Sequence, residues 1–171
     1  MRLRRVEASD ADAIFAIYSD PEVARYLSHP AMTDRAQAED FIARILSGYA
    51  AGSSLQLALE RKGDGALIGT CILFNFHGES RRAEIGYTLG RPHWGTGYMH
   101  EALVALIEIA FGALDLNRLE ADIDPRNAAS ARSLERLGFK REGLLRERWI
   151  VNGETCDTTF FGLLRREWRE R

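Results

Sequence analysis

The stretch from Ala83 to Asp124 changes its hydrophobic period twice, and this restricts the fold more than any other feature of the chain. "AEIGYTLG" reads as a strand, the run from about Gly97 to Phe111 as a helix, and "NRLEADID" as a strand again. A strand–helix–strand unit of this kind belongs in the middle of one mixed α/β sheet. Between its first strand and its helix stands "RPHWGTG". Two glycines at a helix start cost backbone entropy and add no packing, so the position needs something that glycine supplies. A glycine-rich turn there is an anion site: backbone N–H groups approach the ligand, and the helix end offers unpaired donors and a positive dipole. A plain tight turn is the competing explanation.

The flanking segments extend this sheet. "RLRRVEASD" predicts a short strand, a cap at Ser9 or Asp10 and a helix through Tyr18. "TDRAQAEDFIARILSGYAAG" predicts a second helix, with Thr33 placed to cap it and Phe41, Ile42, Ile45 and Leu46 as its apolar stripe. Strands are expected at Leu55–Glu60 and Leu67–Phe76, joined by "RKGDGA" with its Asp-Gly pair. In the central helix, Met99, Ala102, Leu103, Leu106, Ile107 and Ala110 are apolar, leaving His100, Glu101 and Glu108 outside. "NAASARSLERLGF" is a short helix ended by Gly138, and "VNGET" turns between the last two strands. The arginines of "LLRREWRER" alternate with Glu167 and Glu170, as on a solvated face ending a strand.

Length and charge set the outer limits. The 171 residues suit a single domain spanning 1–171. With 23 basic against 25 acidic side chains, the net charge of −2 gives no bulk attraction to nucleic acid or membrane. The N-terminus lacks an apolar signal region and no run reaches membrane-spanning length, so the expected location is cytoplasmic. Cys71 and Cys156 lie in apolar runs and are expected as buried, reduced thiols. No histidine has a metal-ligand partner at helical spacing, so no metal is expected.

Three phosphate-binding patterns can be compared with the glycine turn. A P-loop needs a lysine after its last glycine, and neither Lys62 nor Lys140 follows one. A dinucleotide fingerprint needs a third glycine where His100 stands, although Asp122 or Asp124 imitates its acidic residue. The third comparison fits. "AEIGYTLGRPHWGTGYMHEAL", "NRLEADIDPRNAASARSLERLGFKREG" and "WIVNGETCDTTFFGLL" resemble the GNAT superfamily of acetyl-CoA-dependent N-acetyltransferases, over nearly the whole chain. Within it the resemblance is to the RimJ/RimL type, which acetylates the N-terminal amines of ribosomal proteins. The superfamily signature Gln/Arg-x-x-Gly-x-Gly/Ala falls on Trp94, Gly95, Thr96, Gly97, Tyr98 and Met99, with Trp94 and Met99 as departures.

The resemblance implies an α/β (α+β) GNAT fold: a mixed, mostly antiparallel sheet of about seven strands, about four flanking helices and splayed central strands. It also implies that the pyrophosphate of acetyl-CoA lies on the N–H groups from Trp94 to Met99. The pantetheine arm would pair like an extra strand with Tyr87, Thr88 and Leu89. Arg91 either assists or is a solvated loop residue. Asn127 is an N-cap by position and, by resemblance, also bonds the pantetheine. Many members carry a tyrosine seven residues after this asparagine as the acid for the leaving thiolate. Here that position is Leu134, so the role falls to Ser130 or to water. Glu84 is the candidate base, because an acidic residue in a central strand is hard to place unless it faces a cleft.

The expected activity is therefore direct acetyl transfer from acetyl-CoA to a primary amine, such as a ribosomal-protein N-terminus, another peptide, or a small amine such as a polyamine or an amino-sugar. The expected assembly is a monomer or homodimer, and specificity is assigned to the loops Leu27–Asp34, Phe76–Arg82 and Arg146–Thr155. Two rivals stand beside this reading: a non-catalytic acyl-CoA-binding or sensor protein of the same fold, and a nucleotide-dependent oxidoreductase.

Overall fold

A computed structural model describes residues 1–151 and 153–169. Its strands are β1 (Arg2–Arg5), β2 (Leu55–Glu60), β3 (Leu67–His77), β4 (Arg82–Leu89), β5 (Arg118–Ile123), β6 (Lys140–Val151) and β7 (Glu154–Leu164). They form one seven-stranded sheet in the spatial order β1-β2-β3-β4-β5-β7-β6. The helices are α1 (Ala11–Tyr18), α2 (Pro21–Ala24), α3 (Arg35–Ala51), α4 (Tyr98–Phe111), α5 (Ala128–Arg136) and α6 (Arg165–Arg169). Both faces of the sheet are covered, and β2 shows how alternation divides them. Leu57 and Leu59 enter the core shared with α4, whereas Ala58 between them enters the core shared with α1 and α3.

All neighbouring strands are antiparallel except β4 and β5. Their parallel pairing runs from Arg82↔Arg118 to Glu84↔Glu120 and stops there, although β4 continues to Leu89 and β5 to Ile123. Beyond that point each strand keeps its outer partner, β3 for β4 and β7 for β5. The two inner edges therefore diverge and leave ladder groups unpaired. At the closed end, the buried Glu120 carboxylate accepts from Arg82 Nη1 at 2.7 Å and from Arg118 Nε at 2.8 Å. A buried carboxylate needs this double compensation, and the bonds tie β4 to β5 just before they part.

The mixed, mostly antiparallel sheet of about seven strands with splayed central strands is as expected, but the described helices number six, not four. α2 is a single turn, started by Asp20, whose side chain accepts from the N–H of Glu22, and by Pro21 in its first position. The tail is helix α6, not the end of a strand. Trp168 seats against the core there, and Glu167 accepts from Leu164 N–H at 3.1 Å and from Lys140. Glu170 of the predicted tail and Asn152 of the predicted hairpin turn lie outside the described residues.

Smaller corrections have local causes. Asp34, not Thr33, caps α3 by accepting from Gln37 N–H at 3.1 Å, while Thr33 N–H donates to the Gln37 side chain. The buried stripe of α3 is Ala38, Ile42, Ile45 and Gly48, and Leu46 is exposed. Asp10 does not cap α1. It accepts from Glu7 N–H at 2.8 Å and takes both Nη atoms of Arg4, at 2.7 and 2.8 Å. Arg4 Nε also donates to Glu60 on β2, so one guanidinium joins β1, β2 and the turn before α1.

Burial opposes the ionisation of Asp10, yet the bonds from Arg4 and Glu7 outweigh it and hold the carboxyl below its ordinary range. A depressed carboxyl contributes stability that is present above its unfolded pKa of about 3.9 and is lost as pH falls through its folded value. Asp10→Asn is therefore expected to cost about 1–3 kcal/mol at neutral pH. Urea unfolding at pH 7 and at pH 3 checks this. The gap between the two proteins should narrow in acid, and a constant gap would show that the charge of Asp10 is not what Arg4 holds.

Candidate functional site

The glycine turn stands at the open end of the β4–β5 gap. A single 3-10 turn, Arg91–His93, leads from β4 into it, and Trp94 is extended. Gly95 and Gly97 take φ of +73° and +87°. A side chain added at either would meet no heavy atom within 4 Å, so the requirement for glycine is conformational and not one of space. Gly97 is the N-cap of α4 and has no side chain to satisfy the helix start. Among the described residues, no acceptor serves the N–H groups of Gly95 through His100. A row of unpaired donors at the start of a 14-residue helix is geometry that suits an anion.

The turn is braced from behind. The Trp94 indole N–H donates to the Leu89 carbonyl at 2.7 Å, and Thr96 Oγ1 donates to the His93 carbonyl at 2.6 Å. Met99 is half-buried against the core, and the Tyr98 ring meets His93 edge-on. Arg91 pairs with Asp20 at 3.0 Å, so its charge is engaged by the start of α2 and not by the turn.

A cleft of about 370 Å³ follows the gap between the strands. Glu84 and Tyr87 of β4 line it, with Asp122 of β5, Asn127 at the N-cap of α5 and Ser130 in its first turn. Asn127 spends its side-chain oxygen as the N-cap, accepting from Ser130 N–H at 3.0 Å. The Tyr87 hydroxyl lies 2.6 Å from Ser130 Oγ, which places a phenol beside the serine. Burial pushes that phenol up to about 12, against the opposing bond to Ser130. Leu134 is fully buried in the core, so nothing acidic occupies its place.

Glu84 is half-buried in the cleft wall and accepts one bond, from Asn75 at 3.1 Å. Neither Glu84 nor Asp157 has an ion-pair partner among the described residues, and both line the cleft. Its other carboxylates are compensated. Arg126 bridges Asp124 and Glu154, and Arg148 reaches Asp122, which also accepts from the Trp149 indole. Five lining carboxylates (Glu84, Asp122, Asp124, Glu154, Asp157) face two lining cations (Arg25, Arg126), so the field in the cleft favours a cation.

Sequence reasoning thus located Glu84, Asn127 and Ser130 in one cleft but missed Arg126, Asp122, Trp149 and Asp157. Arg126 pairs with Glu154 across 28 residues, a separation with no local signature. Cys71 is buried, its thiol pushed up to about 12 by desolvation, but Cys156 is a half-exposed residue of the cleft wall. Of the three expected specificity loops, Phe76–Arg82 does not line the cleft, and most of Arg146–Thr155 is the β6–β7 hairpin. The first, Leu27–Asp34, reaches it through Leu27 and Ser28 alone, and Arg25 and Tyr26 just before that loop also line the cleft. No group of three or more metal-ligating side chains occurs among the described residues.

Residues 1–140 match the family described as "Acetyltransferase (GNAT) domain". The chain is 40% identical over 168 residues to the uncharacterized N-acetyltransferase p20 of Bacillus licheniformis, covering 98% of this chain and 94% of the other. It is 29% identical over 118 residues to the ribosomal protein uS5-alanine N-acetyltransferase of Escherichia coli, covering 68% and 61%. The solved structure of spermidine N-acetyltransferase from Vibrio cholerae, in complex with CoA and spermine, superposes with a TM-score of 0.86 at 20% identity, covering 98% and 97%.

The positive φ at Gly97 makes a direct test of the local backbone. Gly97→Ala is expected to lower stability by about 1 kcal/mol, because alanine strains in the left-handed region while meeting no clash. A melting curve that does not move would mean that the turn adopts another conformation.

Proposed function

The chain belongs to the GNAT acetyltransferase family and is an N-acetyltransferase, and from that premise we propose that it transfers acetyl from acetyl-CoA directly to a primary amine. One observation carries the reading: the unpaired N–H groups from Gly95 to His100 adjoin a bare strand edge that leads to Ser130. A pyrophosphate needs donors held in place, and a pantetheine needs amide partners along an extended path. Trp94 already donates to the Leu89 carbonyl, so the strand pairing falls mainly to Tyr87 and Thr88. Asn127 keeps its amide N–H groups for the ligand while its oxygen caps α5. The nucleotide-dependent oxidoreductase is set aside by family membership.

Acetyl-CoA supplies an activated thioester; the chain supplies proton handling and electrostatics. The amine attacks only when neutral, and Glu84 is assigned as the base that takes its proton, directly or through water. Charge developing on the acetyl oxygen is assigned to a backbone N–H of the strand edge, where a fixed donor costs no reorganisation. Ser130 is assigned to the leaving sulfur. The acidic cleft supports a cationic acceptor, such as the N-terminus of a ribosomal protein or a small amine. The uS5-alanine and spermidine enzymes, by name, act on acceptors of this kind. The buried Leu134 favours a second reading, an acyl-CoA-binding protein without turnover.

Acetyl-CoA is expected to stabilise the fold by roughly 2–3 kcal/mol at about 100 times its dissociation constant, read as a melting shift. Gly97→Asp should remove that shift, since its carboxylate would meet the phosphates. A full shift in the mutant would defeat the phosphate assignment.

Thiol release from acetyl-CoA against a panel of primary amines separates enzyme from sensor, and Glu84→Gln tests the base. Acetylation near neutral pH should fall by about 10²-fold while acetyl-CoA binding survives. The deficit should shrink as pH rises toward about 10, because free amine and hydroxide replace the carboxylate. A deficit constant across pH would assign Glu84 to binding instead.

A further inference from the structure

Tyr87 contributes more than a strand edge. Its side chain crosses to α5, where the hydroxyl lies 2.6 Å from Ser130 Oγ and 3.4 Å from the Ser130 carbonyl oxygen. Among the described residues Ser130 Oγ has no other polar partner, and the serine lines the cleft. Each hydroxyl has one proton to donate, so the pair must settle which one donates to the other. A phenol loses its proton near pH ~10, whereas an aliphatic hydroxyl is a far weaker acid, comparable with water. The more acidic group is the better donor, so Tyr87 donates and Ser130 accepts. The proton of Ser130 is then left without a protein acceptor, and its open side is the cleft.

We infer that Tyr87 is a positioning residue, whose hydroxyl holds Ser130 so that the serine O–H is aimed into the cleft at the sulfur of bound CoA. This rests on the acetyl-CoA reading above. The place that Leu134 leaves without an acid is thus served by a pair on two elements, a phenol from β4 behind a serine from α5. Burial raises the phenol to about 12, so it remains a protonated donor throughout the working range.

The pair does not give a proton away. A thiol ionises near pH ~8.5, so moving a proton outright from an aliphatic hydroxyl, or from the raised phenol, to a thiolate is uphill by several powers of ten. As the C–S bond breaks and the C–N bond forms, the electron pair stays on sulfur, and Ser130 stabilises that charge by a hydrogen bond. The amine proton goes to Glu84, and the thiolate takes its own from solvent.

The test compares binding of CoA and desulfo-CoA by calorimetry between about pH 7 and about pH 10, across the ordinary thiol range. In the wild type, the preference for CoA over desulfo-CoA should grow with pH, as thiolate forms and receives the serine O–H. Ser130→Ala should abolish that growth. Tyr87→Phe, which removes one oxygen and keeps the ring and the backbone, should reduce it about 3- to 10-fold, with any change in desulfo-CoA affinity smaller than that. A cooperative melting curve like the wild type's shows that the variant is folded. The double variant should match Ser130→Ala, because the tyrosine acts only through the serine. A Tyr87→Phe profile like the wild type, equal weakening of both ligands, or additive losses would each overturn the inference. Wild-type protein that binds neither ligand would instead overturn the acetyl-CoA reading, and this inference with it.

Discussion

The site depends on a sheet that stops pairing in its middle. β4 and β5 share a ladder only as far as Glu84 and Glu120, and the functional groups named above lie at that point, as Glu84 does, or beyond it. An interrupted ladder is unfavourable in itself, since unpaired amides away from water cost free energy. The structure sustains it by making both sides strong. β3 and β7 hold the outer edges, and Glu120 with Arg82 and Arg118 holds the closed end. What remains open is a rigid slot with amide groups along its walls.

The slot divides its labour by charge. One end presents uncharged backbone donors at a left-handed glycine turn, so the phosphate binding proposed there needs no lysine. Arg91, the nearest candidate cation in the sequence, is committed to Asp20. The other end carries the excess of carboxylates, and those not meant for a ligand are neutralised by Arg126 and Arg148. The same ion pairs fasten the β6–β7 hairpin to the end of β5, so one set of contacts shapes the cleft wall and sets its field.

The site also carries local costs of its own. Gly95 and Gly97 sit in a region of backbone space that other residues enter only under strain, and the donors beyond them lack protein acceptors. Asn75, which holds Glu84, likewise has a positive φ, of 50°. Such costs persist where the surrounding core over-determines the backbone, and here α4 is buried along nearly its whole inner face. A ligand that satisfies the donors would return part of that cost as binding energy.

Much of this was legible in the residues alone. The period changes from Ala83 to Asp124, the Gly-x-Gly and the Asn-x-x-Ser spacing are local patterns, and local patterns fix the strand, the turn and the helix cap wherever the chain goes. The sequence therefore determined the central strand–turn–helix–strand order, the glycine turn and the presence of Glu84, Asn127 and Ser130. It misjudged what depends on partners far along the chain. The tail looked solvated by its charges, but Trp168 found a seat on the core and made it a helix. Nothing local assigned Arg126 or Asp122 to the cleft wall; the hairpin, 28 and 26 residues away, supplies their partners. Tyr87 read as one residue of a strand edge, because nothing near it in sequence announces a serine 43 positions on. Where the ladder ends, which carboxylates stay unpaired and which hydroxyl faces which are set by packing between distant elements, and only the tertiary structure decides them.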